Sequence, residues 1–314
     1  MQTERSDREP DAAVPLVSVI VSTYNHERSI AAALRSVLGQ QFAAPVEILV
    51  AEDWSTDRTQ EILASLGAEF PDRFRVLSRG RNLGLSQNLE DAFRQCRGRY
   101  ISILEGDDEW IDPLKLERVV SALEAHPAWS GCFHSCRMET EGVARPDEIL
   151  PHPPPPAEVA LEDLLRRNYV PTYSTVTYRR GVVAEFPPWH RRVSNGDWGL
   201  HMLHAAEGPL GFLPPAMTAY RVHGGGLWSG KPVTERWFEA LTIWAAIDAH
   251  FAWKYSAQIA AARAEYLGEI SREYADLKRI EQRYHALGLD RVAGLLQPVT
   301  RFVKDTLGRK PDPK

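Results

Sequence analysis

Two short acidic runs carry the side chains best suited to chemistry: Glu52-Asp53-Trp-Ser-Thr-Asp57 and Glu105-Gly-Asp107-Asp108-Glu109. Hard divalent cations such as Mg2+ or Mn2+ take oxygen ligands, and commonly bind one or two carboxylates together with substrate phosphates. A Glu-Gly-Asp-Asp turn offers such oxygens, and Gly106 loosens its backbone. The competing assignment is an acidic loop that caps a following helix, which the same residue types favour. Cys132-Phe-His134-Ser-Cys136 offers other donors, but zinc sites space their ligands by two or more residues. On a strand these alternate positions share one face, so core packing is expected, with His134 a candidate for lining a cleft.

The elements that must position the acidic runs are legible in the hydrophobic periodicity. Leu16–Val21 is an apolar, β-branched run and reads as a buried strand. Ile30, Ala33, Leu34, Val37 and Leu38 then recur at helical spacing. Val46–Ala51 is a second strand, followed by a helix from about Asp57, where Asp57 and Gln60 have the spacing of a capping box. Phe74–Leu77 is a third strand, and Leu85, Leu89, Ala92, Phe93 and Cys96 form one helical face. Tyr100–Leu104 is the fourth strand, and Asp112-Pro113 opens the next helix. Four strand–helix alternations predict a parallel, doubly wound α/β sheet. Ligands bind such sheets beyond the carboxyl ends of the strands. The segments Ser22–Glu27, Glu52–Asp57, Arg79–Gly84 and Glu105–Asp108 should therefore border one site.

Outside this region, residues 1–13 read as a disordered tail, and the proline run Leu150–Glu158 as a linker marking a boundary. A short helix and a strand near Tyr173–Tyr178 follow. After Pro232 the pattern is helical: Glu235–His250, Gln258–Leu287 and Asp290–Gly308. The last helix carries Leu289, Val292, Leu295, Leu296, Val299, Phe302 and Val303 on one face. Packing or a homodimer contact is the favoured use of that stripe, and a peripheral membrane contact the alternative.

The chain has 314 residues and a net charge of −5, from 37 basic and 42 acidic side chains. Nucleic-acid backbones select basic surfaces, so no nucleic-acid partner is expected. Three cysteines imply no disulfide framework. The polar start MQTERSDREPDAA lacks the apolar core of a signal peptide, and no run approaches the ~20 apolar residues of a spanning helix. A cytoplasmic protein is expected, peripheral at most to the inner face of a membrane.

The stretch VSVIVSTYNHERSIAAALRSVLGQQF, followed by VEILVAEDWSTDRTQEIL, resembles the start of the family 2 glycosyltransferases of GT-A fold. RNLGLSQNLEDAFRQCRGRYISILEGDDEWIDPLKL continues the resemblance, which runs over about residues 16–136 with several motifs in order. It implies an inverting, metal-dependent enzyme that uses Mg2+ or Mn2+ and takes a sugar from a nucleotide diphosphate. UDP is the commonest base in the family. The GT-A fold is a Rossmann-like, mostly parallel sheet flanked by helices. In this chain it implies a nucleotide-sugar-binding half over 14–138 and an acceptor and catalytic half over 139–230. A helical extension would occupy 231–314.

Carried over by residue, Thr23, Tyr24 and Asn25 match the loop that cradles base and ribose, and Glu27 closes that loop. Asp53 matches the aspartate that hydrogen-bonds the base, with Asp57 its companion. Asn82 and Gly84 border the nucleotide. Asp107 and Asp108 match the acidic motif on metal and diphosphate. Glu52 and Glu105 stand where aspartate is usual, and Trp54 where glycine is common, which leaves the donor's identity open. Asn195-Gly-Asp197-Trp198 is similar to the family's acidic motif, whose aspartate is the general base. Gly196 replaces the usual preceding acid, and Asp197 as a helix cap is the alternative. Tyr220-Arg221-Val-His223-Gly-Gly-Gly-Leu-Trp228-Ser229 resembles the segment that closes over the diphosphate. There His223 is a candidate third metal ligand and Arg221 a phosphate partner; a plain glycine-rich turn is the competing assignment.

A sugar nucleotidyltransferase would open with a glycine-rich phosphate loop, and Ser22–Glu27 has no glycine. A dinucleotide oxidoreductase needs G-x-G-x-x-G, absent there. A degenerate transferase that only binds sugars or a partner is the non-enzymatic alternative. The acceptor is left unknown.

Overall fold

The computed structural model describes residues 14–140, 148–193, 196–224 and 233–266, with Gly268, Arg279 and Gln282. The tail expected over 1–13 and the last helix expected over Asp290–Gly308 lie outside the described residues, as does most of Gln258–Leu287. The chain divides into two compact units, Met1–Trp253 and Lys254–Lys314. In the second, residues 256–266 are helical.

The first unit begins with β1 (Val17–Thr23), α1 (Ile30–Leu38), β2 (Val46–Glu52), α2 (Thr59–Glu69) and β3 (Arg75–Val76). It continues with α3 (Leu85–Gln95), β4 (Tyr100–Glu105), β5 (Glu109–Trp110), α4 (Lys115–Ala125) and β6 (Gly131–Thr140). Then come β7 (Glu148–Leu150), β8 (Glu158–Val159), α5 (Leu161–Arg166), β9 (Val176–Arg179), α6 (Gly196–Ala205), β10 (Leu210–Val222) and α7 (Val233–His250).

One sheet holds the ten strands of the described residues, in the order β3-β2-β1-β4-β9-β6-β10-β5, with β7 on β6 and β8 on β10. Following the pairings, six of the eight strands on this path run in the same sense, and β9 and β5 oppose them. The expected α/β architecture, a mostly parallel sheet flanked by helices, is present. Every residue of β1 is buried, because it has a parallel neighbour on each side and helices on both faces. Val17, Val19 and Val21 pack into one apolar cluster with Ile30 and Leu34 of α1, Leu63 of α2 and Val119 of α4. Ile20 and Leu49 are buried outside that cluster, as the two-residue pleat requires.

Three local expectations change. β3 spans only Arg75–Val76 because it sits at the sheet edge and pairs only with β2. Asp57 and Gln60 form no capping box. Asp57 accepts from the amides of Thr59 (2.9 Å) and Glu27 (3.0 Å), while Gln60 donates to the Ser55 carbonyl. The proline run joins β7 to β8, which pair with β6 and β10 of the same sheet.

Candidate active site

The register brings the acidic runs together. Thr23 pairs with Glu52 and Ser22 with Glu105, so β1, β2 and β4 end level and their loops open at one edge. A cavity of about 1140 Å³ lies there. Its wall includes Thr23, Tyr24, Asn25, Glu27, Asp53, Asp57, Asn82, Gly84, Glu105, Asp107, Arg221 and His223. Asp108 and Asp197 are not part of it.

The first two loops are laced together by side chains. Asn25 Oδ1 accepts from the Thr56 amide (2.8 Å), and the Asn25 amide donates to Ser55 Oγ (3.0 Å). The Glu27 amide donates to Asp57, and Glu27 in turn accepts from the Arg58 amide. Asn25, Glu27 and Asp57 therefore brace the cavity wall as well as line it. Asn25 and Trp54 adopt φ of 56° and 64°, the left-handed region that bulky L-residues rarely enter. Glu52, the last residue of β2, holds Trp54 there by accepting from the amides of Trp54 (3.2 Å) and Ser55 (2.6 Å).

Asp53 organises the third loop. Its two carboxylate oxygens accept from the amides of Leu83 and Gly84, each at 2.8 Å, and its carbonyl accepts from Asn82 Nδ2. Burial raises its pKa, and the two amides oppose the rise. Gly84 sits at φ 80°, which favours glycine.

The acidic turn splits its two aspartates. Asp107 faces the cavity, where its Oδ2 lies 3.1 Å from His223 Nε2 and 3.8 Å from His26 Nε2. Asp108 turns inward and is 1% exposed. It accepts from the Arg221 amide (3.0 Å), and its other oxygen lies 3.3 Å from Thr172 Oγ1, whose one proton is donated to Glu105. Burial, then the neighbouring Asp107, pushes its pKa up to about 8. The two aspartates expected at the metal thus point to opposite sides of the turn, and in this structure the second is paired with Arg221 and Thr172 of the scaffold. Glu105 lines the cavity and accepts from Thr172 Oγ1. Burial, with Asp108 and Asp107 adding, raises its pKa well above the carboxylate range.

Arg221 lines the cavity, yet its guanidinium already pairs with Glu109 and lies 3.8 Å from Glu139. A phosphate there would have to compete with Glu109. Asn195 and residues 225–232, which include Trp228 and Ser229 of the expected closing segment, lie outside the described residues. Asp197 occupies the first turn of α6. Burial, with Glu239 of α7 adding, pushes its pKa up to about 6, against the opposing Trp198 amide. Its charge acts on Glu105 of the cavity wall.

Asp107 and His223 are the groups best placed to hold a divalent ion. Two cis donors on one such ion, each at ~2.1 Å, stand ~3 Å apart, and the observed 3.1 Å separation fits. Among the described residues no set of three His, Cys, Asp or Glu side chains forms a complete cage. Substrate oxygens or water would complete the shell, as is usual for such ions.

Sequence reasoning assigned no role to His26, Asn88 or Thr172. His26 was inside the quoted loop, and Asn88 was a polar residue one turn beyond Gly84. Asn88 lines the cavity and donates to the Ala51 carbonyl. No sequence signal pointed to Thr172, which reaches Glu105 across a separation of 67 residues. Cys132, His134 and Cys136 are core residues of β6, buried on one face as expected.

Residues 18–186 match the model of glycosyl transferase family 2. The uncharacterised protein Rv1520 of Mycobacterium tuberculosis (strain H37Rv) is 36% identical over 225 residues, covering 71% of this chain and 63% of the relative. The chain thus spans somewhat under two thirds of that relative's length. Among solved structures, S. aureus TarS 1-349 in complex with UDP-GlcNAc aligns with a TM-score of 0.56 at 19% identity. It covers 94% of this chain and 93% of its own. The mannosyltransferase PcManGT from Pyrobaculum calidifontis, in complex with GDP-Man and Mn2+, aligns with a TM-score of 0.58 at 17% identity, covering 94% and 88%. At these identities the two structures speak to the fold, and they share it. No described helix is long and apolar enough to cross a membrane.

Proposed function

The chain belongs to glycosyl transferase family 2, and from that premise we propose that it transfers a sugar from a nucleotide diphosphate to an acceptor hydroxyl in glycoconjugate synthesis. The observation that carries the reading is the Asp107–His223 pair in the wall of a cavity large enough for a nucleotide sugar. Thr23, Tyr24, Asn25, Asp53, Asn82 and Gly84 form the wall assigned to the nucleotide. UDP is the expected base, in line with the UDP-GlcNAc bound by TarS, while PcManGT binds GDP-Man.

In the proposed step, an acceptor hydroxyl oxygen bonds to the anomeric carbon while the bond from that carbon to the diphosphate oxygen breaks. The hydroxyl proton passes to Asp197, and the bonding electron pair leaves with the diphosphate. One displacement inverts the anomeric centre. Asp107 and His223 would hold a divalent ion, Mg2+ or Mn2+, which would supply charge neutralisation for the departing diphosphate. A carboxylate with a pKa near 6 is ionised at neutral pH and still basic enough to take a proton.

Thermal-shift screening of nucleotide sugars with and without Mn2+, followed by mass spectrometry of products, tests the reading. One nucleotide class should raise the melting temperature only with the metal, and its sugar should appear on an acceptor or on water. If no nucleotide sugar is bound or consumed, the transferase reading fails.

A further inference from the structure

Residues 186–191 are wedged between α3 and α6 by contacts of named side chains. On one side stands Glu90 of α3, 1% exposed. Its Oε2 accepts from Arg191 Nε at 2.7 Å and lies 2.6 Å from Arg191 Nη2, and its Oε1 lies 3.4 Å from His190 Nδ1. Phe93, one turn on, meets Phe186 edge-to-face at 5.2 Å. On the other side, a Cβ built on Gly196 would stand 2.8 Å from His190 Nε2, and one on Gly199 2.8 Å from the Trp189 ring. These two glycines, three apart on α6, let the helix seat directly on the Trp189 and His190 rings. Asp197 lies between them.

α3 is also the helix that borders the donor cavity. Its preceding Gly84 is held by Asp53, and Leu85 and Asn88 line the wall. A continuous chain of contacts thus runs from the nucleotide loop, through α3 and Glu90, across His190 and Arg191, to the first turn of α6. Both oxygens of the buried carboxylate are paired, one with His190 and the other with Arg191, so it resists sliding in a way that apolar packing alone does not.

We propose that Glu90 is a positioning residue that sets Asp197 relative to the donor cavity, acting through His190 and Arg191 on the seat of α6. The catalytic part of this proposal rests on the assignment of Asp197 as general base. A small misplacement of a reacting group is costly, ~10²-fold in rate for about 1 Å. Glu90→Gln keeps the size of the side chain but loses its charge, and so loosens the Arg191 and His190 contacts.

The experiment has two arms. Hydrogen exchange on intact Glu90→Gln should show faster exchange at the first turn of α6, with β1 and β2 unchanged. Steady-state transfer should show kcat reduced ~10-fold or more, with donor KM and Mn2+-dependent UDP binding unchanged. Unchanged exchange at α6 overturns the brace. A kcat within twofold of wild type, alongside faster exchange, overturns the proposal that Glu90 sets Asp197, while the assignment of Asp197 as base is read separately from Asp197→Asn. Parallel losses in UDP binding and kcat overturn the proposal in favour of a role in the donor wall. If Glu90→Gln does not fold, Arg191→Gln, whose side chain is 44% exposed, should give the same pattern at smaller amplitude. Wild-type exchange and kinetics in that variant overturn the brace.

Discussion

His223 Nε2 lies 3.1 Å from Asp107 Oδ2, joining the end of β10 to the acidic turn after β4 across a separation of 116 residues. Asp108, one residue on, reaches the same strand by its backbone partner Arg221 and faces the interior. The two aspartates should therefore respond differently to the same substitution. Asp107→Asn or His223→Ala should weaken Mn2+-dependent UDP binding by ~10-fold or more, read by calorimetry. Asp108→Asn should retain that binding, because Asn still offers an oxygen to the Arg221 amide. Loss of binding in Asp108→Asn with retention in Asp107→Asn would reverse the assignment.

The raised pKa of Asp197 fixes a pH dependence. With the folded value near 6, the base is protonated below that pH. The transfer rate should rise through an acidic limb centred near pH 6, and Asp197→Asn should cut turnover by ~10²-fold or more. A folded pKa above the unfolded 3.8 also means that the ionised carboxylate destabilises the fold progressively from pH 4 to 6. Asp197→Asn should accordingly gain thermal stability over wild type across that window and keep the gain above it. A flat kcat profile between pH 5 and 7 would count against the base.

Gly106 is tight for a specific reason. A Cβ there would stand 2.7 Å from His26 Nδ1 and 2.9 Å from Thr23 Oγ1. Gly106→Ala should push the acidic turn away from the first loop and cost ~1–3 kcal/mol in chemical denaturation, with weaker nucleotide binding. An alanine variant of wild-type stability would show that the loops are not in close contact.

Trp54 makes the opposite prediction. It holds a left-handed φ of 64° and the residue is 49% exposed. Trp54→Gly should relieve ~1 kcal/mol of backbone strain and raise the denaturation midpoint. If the variant is less stable, the ring packs more than its exposure indicates.

Much of the donor half was legible because its signals are local. β1, β2 and β4 are short apolar runs between polar turns, and their parallel pairing follows from the intervening helices. Thr23, Asp53, Gly84 and Asp107 lie on the strand-end edge and line the cavity, since a level register of parallel strands puts the following loops there. What residue order could not decide is which way a side chain at a turn points, and what reaches it from far along the chain. Asp107 and Asp108 are indistinguishable by type and position. Only β10, passing beside the turn, gives one a histidine and the other a backbone amide. Asn25, Glu27 and Asp57 likewise look like ligand groups in sequence, yet their first duty is to lace two loops together. Residue order alone determined the parallel strands of the donor half, their open edge and the acidic character of the loops there. The tertiary structure decided which carboxylates face the cavity and which are spent on holding it, because that choice depends on long-range partners that no local pattern encodes.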